Sequence, residues 1–421
     1  MKSIVYWYTS EVFKWRTGAA VAWLLILLPT LVSIYITAAN FCILHPFLWI
    51  SSTFGCILKL STWGYIILLS VLTALTVICD SAYYTVQGNV IGNRAGYLWT
   101  LVQLSHVFHG AVHAVAGGVI TWCCVQIVGG GYQGLSLQCE PARTSACLNE
   151  HHLFIVFHGV YAGYFYSVTF FLQNKNYLEF PVIQQAKFFQ VKSGISPQLL
   201  ESTVTTLKLM RFYYLGYFLI GAIPKEWIIY TLNLEKSPAA PLNSVFGLLD
   251  ISLFWQTLVT GVFLHFVWSL GVVLFKAYNT EPLQLPIESS FGEESSRCLH
   301  HALSCKLSIL QYLGYLDLYL LSKFSKERRK QIYSLSQPGG HPHNWTSLCT
   351  QCLTSIDALT SAVRQHNDNT VGNGALPLRQ PSGERATNRD KGNFLGFNPA
   401  MTSIRNHTSH VSRGIACTCM L

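Results

Sequence analysis

The chain has 421 residues, of which 51% are hydrophobic and only 11% charged, with 28 Lys and Arg against 19 Asp and Glu. Soluble domains carry about 25% charged residues, so this composition excludes the several soluble domains that the length alone would allow. The net charge of +9 is spread over loops beside apolar runs, which excludes a phosphate-binding groove and direct nucleic-acid binding.

Residues 1–18 read as a cytosolic N-terminus. Lys14 and Arg16 precede the apolar run 19–39, which is too long for the core of a cleaved signal and reads as a signal anchor. Pro29 inside it is tolerable in a membrane helix. A helix needs about 20 apolar residues to cross the hydrocarbon layer. Residues 63–79, 104–128, 153–172 and 251–275 also read as spans. One more, fifth in chain order, is weaker. Its uninterrupted part is 212–224, so that helix must begin near Val204, with Lys208 and Arg211 snorkelling to the interface.

Six spans within residues 19–276 put both termini on one side. With the N-terminus cytosolic, that side holds nine basic residues: Lys2, Lys14, Arg16, Arg94, Lys175, Lys187, Lys192, Lys208 and Arg211. The opposite loops hold four: Lys59, Arg143, Lys225 and Lys236. The bias favours this orientation, and Lys323, Lys326, Arg328, Arg329 and Lys330 extend it to the C-terminal part.

Residues 277–366 read as a cytosolic helical region. An acidic, Pro-containing linker (281–296) leads to 307–324, an apolar stretch interrupted by Gln311, Gly314 and Asp317. An Asp at the bilayer centre is costly, so this reads as a packed or interfacial helix. A seventh span is the alternative, and it would carry everything beyond it to the lumen. Between 346 and 366, Leu348, Cys352, Ile356, Leu359 and Val363 recur at spacings of three and four, the pattern of an amphipathic helix. Residues 367–421 are rich in Asn, Gly, Ser and Arg and read as a disordered tail. Thr418 stands where prenylation would need Cys. The expected fold is an all-α membrane protein, with six transmembrane helices, a short cytosolic helical region and a disordered tail.

His106, His109 and His113 follow i, i+3, i+7 and share one helical face, while His158 and His265 lie in other spans. Such a row can be a metal or acyl-transfer site, or a set of interhelical hydrogen bonds. No carboxylate or thiolate stands at a recognisable spacing, and Gly110, Ala114, Gly117 and Gly118 favour close packing, so polar contacts are the expectation. Cys139 and Cys147 fall in a loop assigned to the lumen, where an oxidising medium permits a disulfide; two free thiols are the alternative. His341, His343, Cys349 and Cys352 have the ligand types of a zinc site but not its usual spacing. Gly339, Gly340 and Pro342 read first as a turn, with Asn344 or Thr346 capping a helix. The sequons at Asn344 and Asn406 stay unmodified if that side is cytosolic. The residues assign no catalytic, cofactor or metal site.

Several strings are more specific than generic membrane sequence. They are Cys147-Leu-Asn-Glu-His-His-Leu-Phe154, Gly163-Tyr-Phe-Tyr-Ser167, the stretch from Asn174 to Phe188, Ile223-Pro-Lys-Glu-Trp-Ile228, Phe275-Lys-Ala-Tyr-Asn-Thr-Glu281 and the stretch from Ser334 to Thr346. In this order they resemble the nuclear division cycle family of multi-spanning transmembrane nucleoporins, over about residues 15–365. The resemblance implies a non-enzymatic anchor and assembly factor of the nuclear pore complex, reaching the pore membrane of the nuclear envelope through the endoplasmic reticulum. It implies six spans with both termini facing the cytosol or pore, the lipid bilayer as a partner, and contacts with soluble nucleoporins such as aladin and the membrane-binding linker nucleoporins. Family members carry a longer C-terminal half, so the chain resembles a shortened form. The rival reading is an endoplasmic-reticulum enzyme or transporter that uses the intramembrane histidines.

Overall fold

In hydrocarbon a segment must satisfy its own backbone polar groups, so a long apolar run has a helix as its solution. The computed structural model describes residues 4–374, apart from 43, 88–92, 140–145, 182–184, 237–240, 243, 245–246, 248, 289–293 and 336–338. The tail beyond 374, expected to be disordered, and the sequon at Asn406 lie outside the described residues.

Among the described residues, five helices are long and apolar enough to cross a membrane. They are α1 (Ile4–Ala39), α3 (Leu60–Ser81), α5 (Leu104–Val128), α6 (Glu150–Leu172) and α9 (Ile251–Asn279). Each contains one of the strong apolar runs. The weak run falls mostly within α7 (Lys187–Ile220), a 34-residue helix that ends four residues before the run does. Lys187, Lys192, Glu201, Lys208 and Arg211 lie along it, and with that charge it does not reach the composition of a span.

The shorter elements follow local chemistry. Pro46 opens α2 (Pro46–Leu58), an apolar helix in a stretch expected to be a loop between spans; the fixed φ of Pro suits a first helical turn. Lys59 is extended and separates α2 from α3. Asn93 caps α4 (Arg94–Val102), its side chain accepting from Gly96 N at 2.8 Å. Strands β1 (Ser136–Gln138) and β2 (Ala146–Leu148) pair antiparallel between α5 and α6, with Leu137 opposite Cys147. Gly221 then separates α7 from α8 (Ala222–Leu232).

The described residues divide into two compact units, 11–281 and 4–10 with 282–374. In the first, Leu28, Val32, Tyr35, Leu69, Ile120, Phe170, Leu264 and Trp268 form one buried cluster drawn from five helices. Ile26, Ile67, Leu75, Val115 and Leu219 remain exposed. Helices apolar on every side belong in lipid, where such outward residues are already in a compatible medium. The closest pairing is α5 on α6. A Cβ on Gly117 would press into the Gly159 carbonyl, and one on Gly163 into the His113 carbonyl, so both glycines let the backbones touch.

In the second unit, α10 (Leu299–Leu303), α11 (Ser308–Phe324), α12 (Lys326–Ile332) and α13 (His343–Gly374) pack together. Leu299, Leu303, Leu310, Leu313, Leu321 and Leu348 are buried. Gly314 brings α11 against Ala302 and Leu303 of α10. Asp317, expected to be costly in the bilayer, is buried here in an ion pair with Arg328, so α11 is a packed helix. The last helix runs from His343 to Gly374, longer at both ends than the apolar pattern of 346–366.

Candidate functional site

Asp80 is the last residue but one of α3, where an apolar helix ends. Its carboxylate meets two of the three histidines on α5. His109 Nε2 lies 2.8 Å and His113 Nε2 3.1 Å from Asp80 Oδ1. The Tyr166 hydroxyl of α6 donates to Asp80 Oδ2 at 3.3 Å. His109 Nδ1 is 2.7 Å from Ser167 Oγ, and His113 Nδ1 is 3.0 Å from the His109 carbonyl oxygen. A carbonyl only accepts, so His113 Nδ1 carries a proton.

The cluster is sealed. His109 and His113 are 0% exposed and Asp80 4%. Phe170 stacks on His109, the Trp268 edge meets His113, and Tyr83 stands edge-on over His109 with ring centres 4.9 Å apart. Taking a carboxylate out of water costs several kcal/mol unless it is paired, and the two imidazoles and Tyr166 offer that pairing. What results is a junction of N and O donors between three helices, without an open face for a substrate.

His106 takes another role. Its Nδ1 lies 2.5 Å from the Thr100 carbonyl at the α4–α5 join, and its ring stacks on Phe171 at 3.8 Å. His158 and His265 are buried in α6 and α9 and stand outside the cluster. The sequence reading found no carboxylate for these histidines, and this is corrected by Asp80. It lies 29 residues before His109 on a different helix, where only packing can bring it near. The legible signal was a lone Asp closing an apolar run. A second was the string Gly163–Ser167, which supplies the close approach, Tyr166 and Ser167.

Cys139 and Cys147 are joined by a disulfide, with Cα atoms 5.1 Å apart. β2 also bonds to a later loop: Leu148 N donates to the Glu235 carbonyl at 3.1 Å and Glu235 N to the Ala146 carbonyl at 2.9 Å. Nearby, Lys225 Nζ lies 2.7 Å from Glu150 Oε2, and the Tyr217 hydroxyl donates to Glu150 Oε1. Among the described residues, the ligand-type groups that converge are Asp80, His109 and His113, and Cys139, Cys147 and Glu235. His341, His343, Cys349 and Cys352 are not brought together. Instead His343 opens α13, and Asn344 Nδ2 donates to Glu288 Oε2 at 2.9 Å. An apolar groove of about 500 Å³ lies along α1, lined by Thr30, Ile34, Trp49 and Trp255. Its lining offers no titratable group.

Residues 11–410 match the family model described as Nucleoporin protein Ndc1-Nup. The chain is 36% identical over 379 residues to Nucleoporin NDC1 of Xenopus laevis, covering 88% of this chain and 57% of that protein. It is 34% identical over 380 residues to Nucleoporin NDC1 of Homo sapiens, covering 88% and 56%. With Nucleoporin Ndc1 of Drosophila melanogaster the identity is 23% over 349 residues, covering 80% and 58%. The chain thus spans a little over half the length of the curated relatives it matches.

Proposed function

The chain belongs to the Ndc1 nucleoporin family, and from that membership we propose that it is a structural, non-enzymatic component of the nuclear pore membrane. Its work is placement. Apolar helices fix it in the bilayer of the nuclear envelope, and the region after α9 presents a docking surface that supports anchoring and assembly of the pore complex. The observation that carries this reading is the family match over residues 11–410, on a chain with five helices fit to cross a membrane.

The finer topology is six spans with both termini on the cytosolic or pore side. The second half of α7 supplies the sixth span. Leu207, Phe212, Leu215, Leu219 and Ile220 are exposed along it, as lipid-facing residues would be, while Lys208 and Arg211 reach the interface. Partners under this reading are the lipid bilayer, aladin and the membrane-binding linker nucleoporins. The rival enzyme or transporter is not supported, since the relatives are named nucleoporins and His109 and His113 are sealed from solvent.

Expression of tagged residues 1–421 in cultured cells tests the reading. Rim puncta that overlap pore markers are expected, and diffuse reticular staining overturns it.

A further inference from the structure

We propose that Asp80, His109 and His113 form a binding site for one divalent transition-metal ion of the zinc type, tying α3 to α5 with Tyr166 and Ser167 of α6 as its support. The inference stands apart from the nucleoporin reading, because it rests on the geometry of the cluster and not on the family.

The His113 ring carries the argument. Its Nδ1 is committed as a donor to the His109 carbonyl, so in the neutral ring Nε2 presents a lone pair. That lone pair faces Asp80 Oδ1 at 3.1 Å in a fully buried site, where two electron-rich atoms repel. A proton on Nε2 would turn the contact into an ion pair, but not into a directed hydrogen bond. The approach lies off the line of a hydrogen bond, and His113 Nε2 is a buried nitrogen without a hydrogen-bond partner. A cation held by both Nε2 atoms and by the carboxylate resolves it, because all three become donors to one ion. Ligand atoms about 2.0–2.2 Å from a common tetrahedral ion lie roughly 3.3–3.6 Å from one another. The carboxylate oxygen is 2.8 and 3.1 Å from the two nitrogens and all three atoms lie within 4.8 Å of one another, so a small outward movement of the side chains opens the cage.

The supporting bonds fit the same reading. Metal-bound imidazoles donate their second N–H to a carbonyl, carboxylate or hydroxyl, which sets the tautomer and aims the ring. His113 donates to the His109 carbonyl, and His109 Nδ1 reaches Ser167 Oγ. A hydroxyl both donates and accepts, so Ser167 accommodates His109 in either tautomer. On binding, the proton of the neutral His109 ring shifts from Nε2 to Nδ1, which then donates to Ser167 Oγ, and Nε2 is left with a lone pair for the ion. Two imidazoles and one carboxylate are a borderline donor set that suits zinc, whereas calcium and magnesium favour all-oxygen shells. The ion would also neutralise a buried carboxylate that α3 otherwise carries into an apolar bundle.

The test uses the full chain in detergent micelles, stripped with chelator, dialysed against Zn²⁺ and freed of excess ion. Elemental analysis is expected to find about one zinc held by Asp80, His109 and His113. The double variant H109Q/H113Q is expected to lose it, and H265Q to keep it. Should the double variant misfold, Ser167→Ala leaves every ligand in place and is expected to weaken zinc binding about 10–100-fold. Co²⁺ in the unmodified chain is expected to give visible bands of a nitrogen and oxygen site without thiolate charge transfer. Zinc content equal in the wild type and the double variant overturns the proposal, as does a thiolate-dominated cobalt spectrum. Unchanged affinity in S167A does the same, and leaves the cluster as a proton-held polar junction.

Discussion

Arg328 grips Asp317 with both arms of its guanidinium, Nη1 to Oδ1 at 2.7 Å and Nη2 to Oδ2 at 2.8 Å. The pair closes around one residue of the preceding linker. Leu285 N donates to Asp317 Oδ2 at 3.0 Å, and Arg328 Nη2 donates to the Leu285 carbonyl at 2.6 Å. An acidic residue in an apolar helix is therefore a clasp that fastens the linker to α11 and α12.

Breaking a buried pair by removing one partner costs about 3–5 kcal/mol, because the other charge is left uncompensated. Arg328→Ala should fall at the lower end, since the Arg side chain is 21% exposed and water can reach what remains. The expected outcome is faster protease cleavage around Leu285 in the full chain, with α9 unaffected. Cleavage rates equal to the wild type would show that the clasp contributes no stability.

Gly163 and Gly117 permit contact between α5 and α6, so Gly163→Ala and Gly117→Val should each separate these helices and lower stability by about 1–3 kcal/mol. Gly64 has no heavy atom within 4 Å of an added Cβ, and Gly64→Ala should be neutral or slightly stabilising. Thermal unfolding in micelles checks the contrast. Equal midpoints for Gly163→Ala and Gly64→Ala would contradict the packing.

The proposed topology puts Cys139 and Asn344 on opposite faces of the membrane. In microsomes, non-reducing peptide mapping should recover the peptides of Cys139 and Cys147 linked. Glycosidase treatment should leave the mass unchanged, because that topology would put Asn344 on the cytosolic side, where its amide donates to Glu288. A mass shift after glycosidase would require an odd number of spans before Asn344.

Burial pushes the His300 imidazole below its usual 6.5, and the neighbouring His301 and His343 push the same way. Its folded form thus resists a proton that the unfolded chain accepts. The sign follows: the stability contribution is present above about pH 6.5 and is lost as pH falls below it. Acid should destabilise residues 282–374 between about pH 7 and 5, and His300→Gln should flatten that dependence. A pH profile unchanged by the substitution would remove His300 as its source.

Most of the membrane architecture was legible because span-forming helices need only local information. Uninterrupted apolar length decides them, and the runs at 104–128 and 251–275 reappear as α5 and α9. Residues 204–224 resisted reading because Lys208 and Arg211 dilute the apolar signal, and the same charges keep α7 below span composition. Helix α2 was missed because it is short and Lys59 follows it, so it resembled a loop. The site was half legible. Spacing along one helix placed His109 and His113 on one face, but it also grouped His106 with them, and His106 turns to the α4–α5 join instead. Nothing along the chain pairs Asp80 with residues 29 or more positions later; that depends on how α3 packs against α5 and α6.

The bonds between residues 146–150 and 225–235 also bear on the order in which the protein is made. Ala146, Leu148 and Glu150 emerge from the ribosome well before Lys225 and Glu235, which complete their pairs. Until α7 and α8 have been synthesised, the edge of β2 that faces away from β1 has no partner and the Glu150 carboxylate lacks Lys225. Helix α6 is therefore complete before the cation that meets the carboxylate of its first residue. A pause or chaperone contact during insertion would fall in that interval.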